Sequence, residues 1–385
     1  MKQEQTILVL GGGVGGLVTA NTLRKLLPRQ HRVVLVEREA NHLFTPSLLW
    51  LMTGQRKAAS IVRPLERLRR KGIEVVRGEI ARIEPEQRRV TVGGRTLAGD
   101  HLVISLGAEF TPQSIPGLAE GGHTFCTLAG AEGLRDALPA FRSGRLVVLT
   151  AAPAYKCPAA PYEAAMLLEH DCRRRGVRDR VQVDLYAAEP GPMGVAGPEV
   201  SAGVRQMVER KGIAYHPEHQ VTSVDAAARR IDFANGAAAN IDLLVYVPSH
   251  RAPAVVREAG LLDESGWVPV DRHTLETRHA GVYAIGDVTG IPLKLGKPLP
   301  KAGVFAHYQG EVVARNIARA ITGQGRPARF DGSGECFIEA GGHKAGFGKG
   351  NFYAEPTPQI SLKRVGYRWH LGKVLFEQSW LWRWF

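Results

Sequence analysis

Gly11-Gly12-Gly13-Val14-Gly15-Gly16 separates an apolar run, TILVL at 6–10, from the helical stretch LVTANTLRKLL, and a second apolar run, RVVLVE, ends on Glu37. This order predicts a βαβ unit carrying the G-x-G-x-x-G fingerprint. Gly11 permits the tight turn, Gly13 lets a pyrophosphate approach the backbone, and Gly16 lets the helix pack closely on the sheet. The free N–H groups and positive dipole at the helix start favour phosphate. Glu37, about twenty residues on, is placed to bind ribose hydroxyls. The expected fold class is α/β, built on Rossmann-like dinucleotide binding.

With 385 residues the chain is long enough for two or three domains and a large core. Four cysteines in that length do not make a disulfide scaffold, so any disulfide is expected to be catalytic. The opening MKQEQTILVL lacks the order of a cleaved signal peptide. No apolar run approaches the ~20 residues of a spanning helix. The expectation is a soluble protein or one on a membrane surface. A net charge of +13 suits an anionic membrane or a nucleic acid. The basic residues are scattered, as in IVRPLERLRRKG and DCRRRG, without a nucleic-acid motif, so no nucleic-acid partner is expected.

A second segment separates the two common dinucleotides. In TRHAGVYAIGDVTG an apolar strand runs into Gly286-Asp287, and SLGAEF at 105–110 contains Gly107. These resemble the second flavin motif and the crossover motif of flavoproteins with two dinucleotide domains, in which the Asp binds the ribityl chain of FAD. FAD is therefore the expected cofactor. The FAD-binding domain is expected to span 1–142 and 270–324, with a second Rossmann-like domain at 143–269. That second domain opens with RLVVLT and the loop AAPAYKCPAAP, which has no glycine, and Pro153 removes a backbone donor. NAD(P)H would be poorly held there. A third region at 325–385 carries a cysteine and an aromatic, basic tail, and is expected to form a membrane or dimer interface. A helix is expected to start around Ala302, its N-terminus facing a reduced flavin.

Cys126, Cys157 and Cys336 lie far apart in sequence. A lone cysteine is most often a small buried hydrophobe, and spacing alone does not bring Cys157 to Cys336. Taken together, the two flavin motifs, the loop cysteine followed by PYE, the C-terminal cysteine and the closing WHLGKVLFEQSWLWRWF resemble the sulfide:quinone oxidoreductase family. That family includes the flavoprotein of flavocytochrome c sulfide dehydrogenase.

The resemblance implies a redox-active disulfide between Cys157 and Cys336 beside the flavin. It implies a third cysteine of less uniform role at Cys126 and an acid–base carboxylate at Glu163. Lys373 and Phe376 match positions near flavin and quinone, with Phe376 stacking on the quinone ring. Lys301 is the candidate for charge near the flavin pyrimidine end, and Cys172 matches no family position. The implied chemistry is attack of hydrosulfide on the disulfide, growth of a sulfur chain released as polysulfide or zero-valent sulfur, and passage of electrons through FAD to a membrane quinone. The implied location is a peripheral, monotopic position on a bacterial or archaeal inner membrane, with a homo-oligomer possible in principle. No metal site is expected. Two other readings stand beside this one. One is a sulfide dehydrogenase that passes electrons to a cytochrome c; NHLFTPSLLW, after the second strand, lacks the cysteine that would attach FAD covalently. The other is a non-catalytic FAD and thiol redox sensor. A type II NADH dehydrogenase is disfavoured by the glycine-free loop.

Overall fold

The computed structural model describes residues 4–385. Its first sheet is wholly parallel and contains β1 (Thr6–Leu10), β2 (Arg32–Glu37), β3 (Glu74–Arg77), β4 (His101–Ile104) and, from far along the chain, a strand at Val282–Ala284. The spatial order is Val282–Ala284, β4, β1, β2, β3. Four of the five β1 residues are buried, as a central strand covered on both faces requires. Helix α1 (Val14–Leu26) leaves β1 through the glycine turn. Gly11 adopts a left-handed φ of +97°, and a Cβ on Gly16 would lie 1.8 Å from the Gly11 carbonyl oxygen, so both positions demand glycine.

The second sheet is also parallel. It contains β5 (His123–Thr124), β6 (Gly144–Thr150), β7 (Val181–Tyr186), β8 (Ala214–His216) and β9 (Leu243–Val247), in the order β5, β9, β6, β7, β8. It reaches back to His123–Thr124, upstream of residue 143, where sequence alone placed the start of this unit. Helix α2 (Ala160–Arg174) follows the cysteine-bearing loop and is buried along most of its length. The chain then returns to the first sheet as β10 (Val282–Ala284) and continues into α3 (Gly303–Thr322), whose N-cap is Ala302.

The last region is an antiparallel meander of β11 (Ser333–Gly341), β12 (Lys344–Asn351) and β13 (Gln359–Gly366). Helix α4 (Tyr367–Arg383) closes the chain. One side of α4 is docked: Trp380, Leu381 and Trp384 are buried in the core of the first sheet and α3. Trp380 Nε1 donates to His42 Nε2 at 3.1 Å, and His42 Nδ1 lies 2.8 Å from the Gly12 carbonyl oxygen. The C-terminal helix is thus tied to the glycine turn at the other end of the sequence.

Candidate active site

The three site cysteines pack against one hydrophobic core, the cluster built on α2 and the second sheet. Cys157 sits between β6 and α2 with φ of +56°, a left-handed conformation rare for a residue with a side chain. The loop holds it there: its N–H donates to the Lys301 carbonyl at 2.8 Å, and its own carbonyl accepts from Ala160 N at 2.9 Å. Backbone strain of this kind persists only where the surroundings enforce it. Cys336 projects from β11, opposite Gly348 of β12. Its Sγ lies 3.1 Å from the Phe337 carbonyl oxygen.

The thiol of Cys157 is pushed well up by burial, and then by the proximity of Cys336, Glu163 and Cys126. Cys336, Glu163 and Cys126 thus all lie near enough to Cys157 to act on its charge. Burial also raises Cys336, to about 12, and Cys126, to about 11. All four cysteines are free thiols in this structure, so the Cys157–Cys336 bond implied by the resemblance is not formed in it. Cys172 is fully buried in α2, away from this group, as a structural thiol.

Glu163 and Lys373 meet beside the cysteines. Lys373 Nζ donates to Glu163 Oε1 at 3.1 Å, and both residues are buried. The same oxygen accepts from the Glu339 backbone N at 2.9 Å. Burial raises the Glu163 carboxyl, against the pull of Lys373. Burial alone would lower Lys373, but Glu163 and Glu339 outweigh it and its pKa moves up. Lys373, matched by resemblance to a position near the flavin, lies close enough to Cys157 and Cys336 to act on both thiols. Its ammonium also lies 4.8 Å from the Trp50 ring centroid. Phe376 is 41% exposed on α4, in edge contact with Phe44 and Trp380 and tilted against Phe337, the residue after Cys336.

The residues at the first sheet fit FAD. A Cβ on Gly13 would meet nothing within 4 Å, so open space lies over the start of α1, whose first turn carries no acidic residue. Glu37 ends β2, where its Oε2 accepts from Gly12 N at 2.6 Å. Gly107 follows β4 and Gly286 follows β10, both with positive φ. Asp287 faces Lys156 of the cysteine loop at 3.3 Å. Both ring nitrogens of His250 are buried without a partner, in the field of Lys301, Asp287 and Lys156. Unpaired buried nitrogens of this sort are what a polar cofactor would complete. The Lys301 ammonium donates to the Asp287 and Thr289 carbonyls at 2.8 and 2.9 Å and sits 3.3 Å from the Trp267 ring centroid; burial lowers its pKa to about 8. Gly11, Gly13, Gly16, Glu37, Gly107, Gly286, Asp287 and Lys301 would hold the group, which supplies two-electron redox chemistry when bound.

The second sheet lacks the equivalent cradle. Beyond β7, Glu189 sits where a Rossmann domain offers a carboxylate to a nucleotide ribose. Here that carboxylate is buried and accepts from the hydroxyls of Tyr155, Tyr162 and Thr150. The tyrosines come from the cysteine loop and from α2, and they hold the Glu189 carboxylate inside the protein.

Sequence reasoning missed Glu339, His370, Trp50 and the Glu189 cluster. The first two left a signal: Glu339 interrupts the apolar CFIEAG, and His370 precedes Lys373 by one helical turn, on the same face.

A family model described as pyridine nucleotide-disulphide oxidoreductase matches residues 5–310, and the chain belongs to that family of FAD-dependent oxidoreductases. Within it, the chain is 28% identical over 397 residues to the sulfide-quinone reductase of Aquifex aeolicus, covering 98% of this chain and 90% of that one. It is 22% identical over 369 residues to the mitochondrial sulfide:quinone oxidoreductase of Mus musculus, covering 92% and 80%. The X-ray structure of the Aquifex aeolicus sulfide:quinone oxidoreductase superposes with a TM-score of 0.89 at 26% identity, covering 99% of this chain and 91% of that chain.

Proposed function

We propose that this chain is a sulfide:quinone oxidoreductase that oxidises hydrosulfide at a Cys157–Cys336 redox disulfide. The observation that carries the reading is the packing of Cys157, from the loop between β6 and α2, and Cys336, from β11, against one hydrophobic cluster beside the buried Glu163–Lys373 pair. Hydrosulfide opens the disulfide by attack on one sulfur, giving a persulfide on one cysteine and a thiolate on the other. Lys373 stabilises that negative charge, and Glu163 takes the proton that leaves the persulfide. The strained backbone of Cys157, bonded to Lys301, fixes the sulfur against the loop that also carries Asp287. Cys126 packs against the same cluster and is the candidate to hold the growing sulfur chain.

The electron acceptor is a quinone reached from a membrane surface. No helix among the described residues is long and apolar enough to cross a membrane. The outer face of α4 instead exposes Leu371, Leu375, Phe376 and Trp382 beside Arg368 and Arg383, which is suited to lie in an interface. Phe376 lies on the path from that face to Phe337 and Cys336, where an aromatic ring can stack on a quinone. Sulfide as the electron source, rather than NAD(P)H, accords with the captured Glu189.

The test is an anaerobic titration of the purified flavoprotein with sulfide and then decylubiquinone, following the flavin spectrum. Bleaching by sulfide and recovery with quinone are expected. Cys157→Ala and Cys336→Ala should each keep the flavin and lose nearly all sulfide turnover. Normal turnover in both variants would end the disulfide mechanism, and bleaching without recovery would remove quinone as acceptor.

A further inference from the structure

The cysteine loop leaves the C-terminal end of β6. At the opposite end of the second sheet, β6, β7 and β8 begin together, and their first residues Gly144, Val181 and Ala214 line a surface cleft of about 840 Å³. The seven residues of β6 hold that cleft about 20 Å from the cysteine loop.

Six cations line the cleft, from four segments: Arg145 of β6, Arg173 of α2, Arg178 and Arg180 of the turn before β7, and Arg210 and Lys211 just after the helix Pro198–Glu209. Two buried carboxylates hold four of them from beneath. Glu169 pairs with Arg173, with Arg178 Nε at 3.1 Å and with Lys211 Nζ at 3.6 Å. Asp184 takes Arg145 Nε at 3.5 Å. Arg178 is fully committed, because its other two nitrogens donate to the Val181 and Gly212 carbonyls at 2.8 Å each. Arg180 and Arg210 differ from these. Both are exposed, and neither has a hydrogen bond or an ion pair among the described residues.

Asp179 is the one carboxylate on the lining itself. Six cations therefore face three carboxylates, and three positive charges are left over in a concave site. Such charges repel one another in the empty cleft and concentrate anions over it. The guanidinium fork matches the oxygens of a phosphate group. The cleft has room for more than one such group. Among the described residues no aromatic ring lines it to stack on a nucleobase.

We infer that this cleft binds a compact multivalent oxyanion of the oligophosphate class, with Arg180 and Arg210 as its principal ligands and Arg145, Arg173 and Lys211 closing around it. A free oligophosphate and a bisphosphate lipid headgroup share this chemistry, and the experiment distinguishes them.

The holoenzyme is titrated with sodium tripolyphosphate by isothermal calorimetry at low and at physiological salt. Saturable binding is expected at low salt, weakening at least tenfold at the higher salt as the charges are screened. Arg180→Ser combined with Arg210→Ser should weaken binding at least tenfold. Flavin content and melting temperature should stay as in the unaltered protein, because neither side chain bonds within the fold. Arg67→Ser with Arg70→Ser removes the same charge from exposed positions beside the first sheet and should leave binding within twofold. A second arm measures co-sedimentation with phosphatidylcholine vesicles containing cardiolipin. Unchanged sedimentation of the cleft variant assigns the site to a free oligophosphate. Lost sedimentation in that variant, with tripolyphosphate displacing the unaltered protein from the vesicles, assigns it to the lipid headgroup. Equal affinity of the two double variants for tripolyphosphate, or no saturable binding at low salt, would overturn the site.

Discussion

At the scale of single residues, the site is governed by how few charges share a dry pocket. Lys373 faces two carboxylates, so its loss and the loss of Glu163 are not equivalent. Lys373→Met leaves two buried carboxylates without a cation and should cost about 3–5 kcal/mol in urea unfolding. Glu163→Gln leaves Lys373 balanced by Glu339 and keeps an acceptor for the Glu339 N–H, so its cost should be about 2 kcal/mol or less. Its sulfide oxidation should nevertheless fall about a hundredfold, the usual scale of a lost acid–base group. Equal destabilisation by the two variants would contradict the charge count. His42 makes a second prediction. Its Nδ1–H faces the Gly12 carbonyl while its Nε2 accepts from Trp380, which requires the neutral ring. Burial accordingly holds its pKa down at about 4, below the ordinary 6.5. The unfolded chain takes up this proton below pH 6.5 and the folded chain refuses it until about pH 4, so the stability is present above 6.5 and is lost as pH falls through this window. The loss is on the order of 3 kcal/mol at the acid end. Urea unfolding from pH 7 to pH 4 should show this slope, and His42→Gln should flatten it.

At the scale of elements, the proposed electron donor turns on the second βα connection and the proposed acceptor side on α4. The loop between β6 and α2 replaces a glycine turn with Cys157 and aims Tyr155, together with Tyr162 of α2, at Glu189. Helix α4 has two faces with separate duties. Trp380 and Trp384 anchor it, while Leu371, Leu375 and Trp382 are 57%, 60% and 82% exposed. Removing the exposed set by Leu371→Ser, Leu375→Ser and Trp382→Ser together should lower co-sedimentation with anionic vesicles at least tenfold. The melting temperature should move by less than about 2 °C, because no buried contact is lost. Unchanged sedimentation would remove α4 as the membrane contact. The aromatic, basic tail seen in the sequence does not itself divide into docked and exposed sides, because tryptophan lies on both: Trp380 and Trp384 are buried and Trp382 is exposed.

At the scale of the whole molecule, the second parallel sheet, the antiparallel meander and α4 supply the cysteine pocket, while the first sheet carries the dinucleotide turn. Millimolar NADH under anaerobic conditions should leave the flavin oxidised over minutes, while sulfide bleaches it within mixing time or shortly after. Rapid bleaching by NADH would show that the Glu189 cluster opens to nucleotide. Much of this architecture was readable in one dimension. The glycine turn at Gly11–Gly16, the carboxylate at Glu37, Gly286-Asp287 and the start of α3 are local: each depends on a few neighbouring residues whose conformational limits are intrinsic. The reach of the second sheet back to His123–Thr124 was not readable, because a two-residue strand exists only through its partner β9. The cysteine pocket was not readable from the residues either. Resemblance implied that Cys157 and Cys336 belong together, but Glu339 and His370 entered the site only when β11 and α4 packed against α2. The sequence by itself thus determined the dinucleotide turn, the flavin motifs and the absence of a second glycine loop, since short-range sterics dictate them. Only the tertiary structure decided which distant charges share the pocket, because the cost of burying a charge depends on what the folded chain brings beside it.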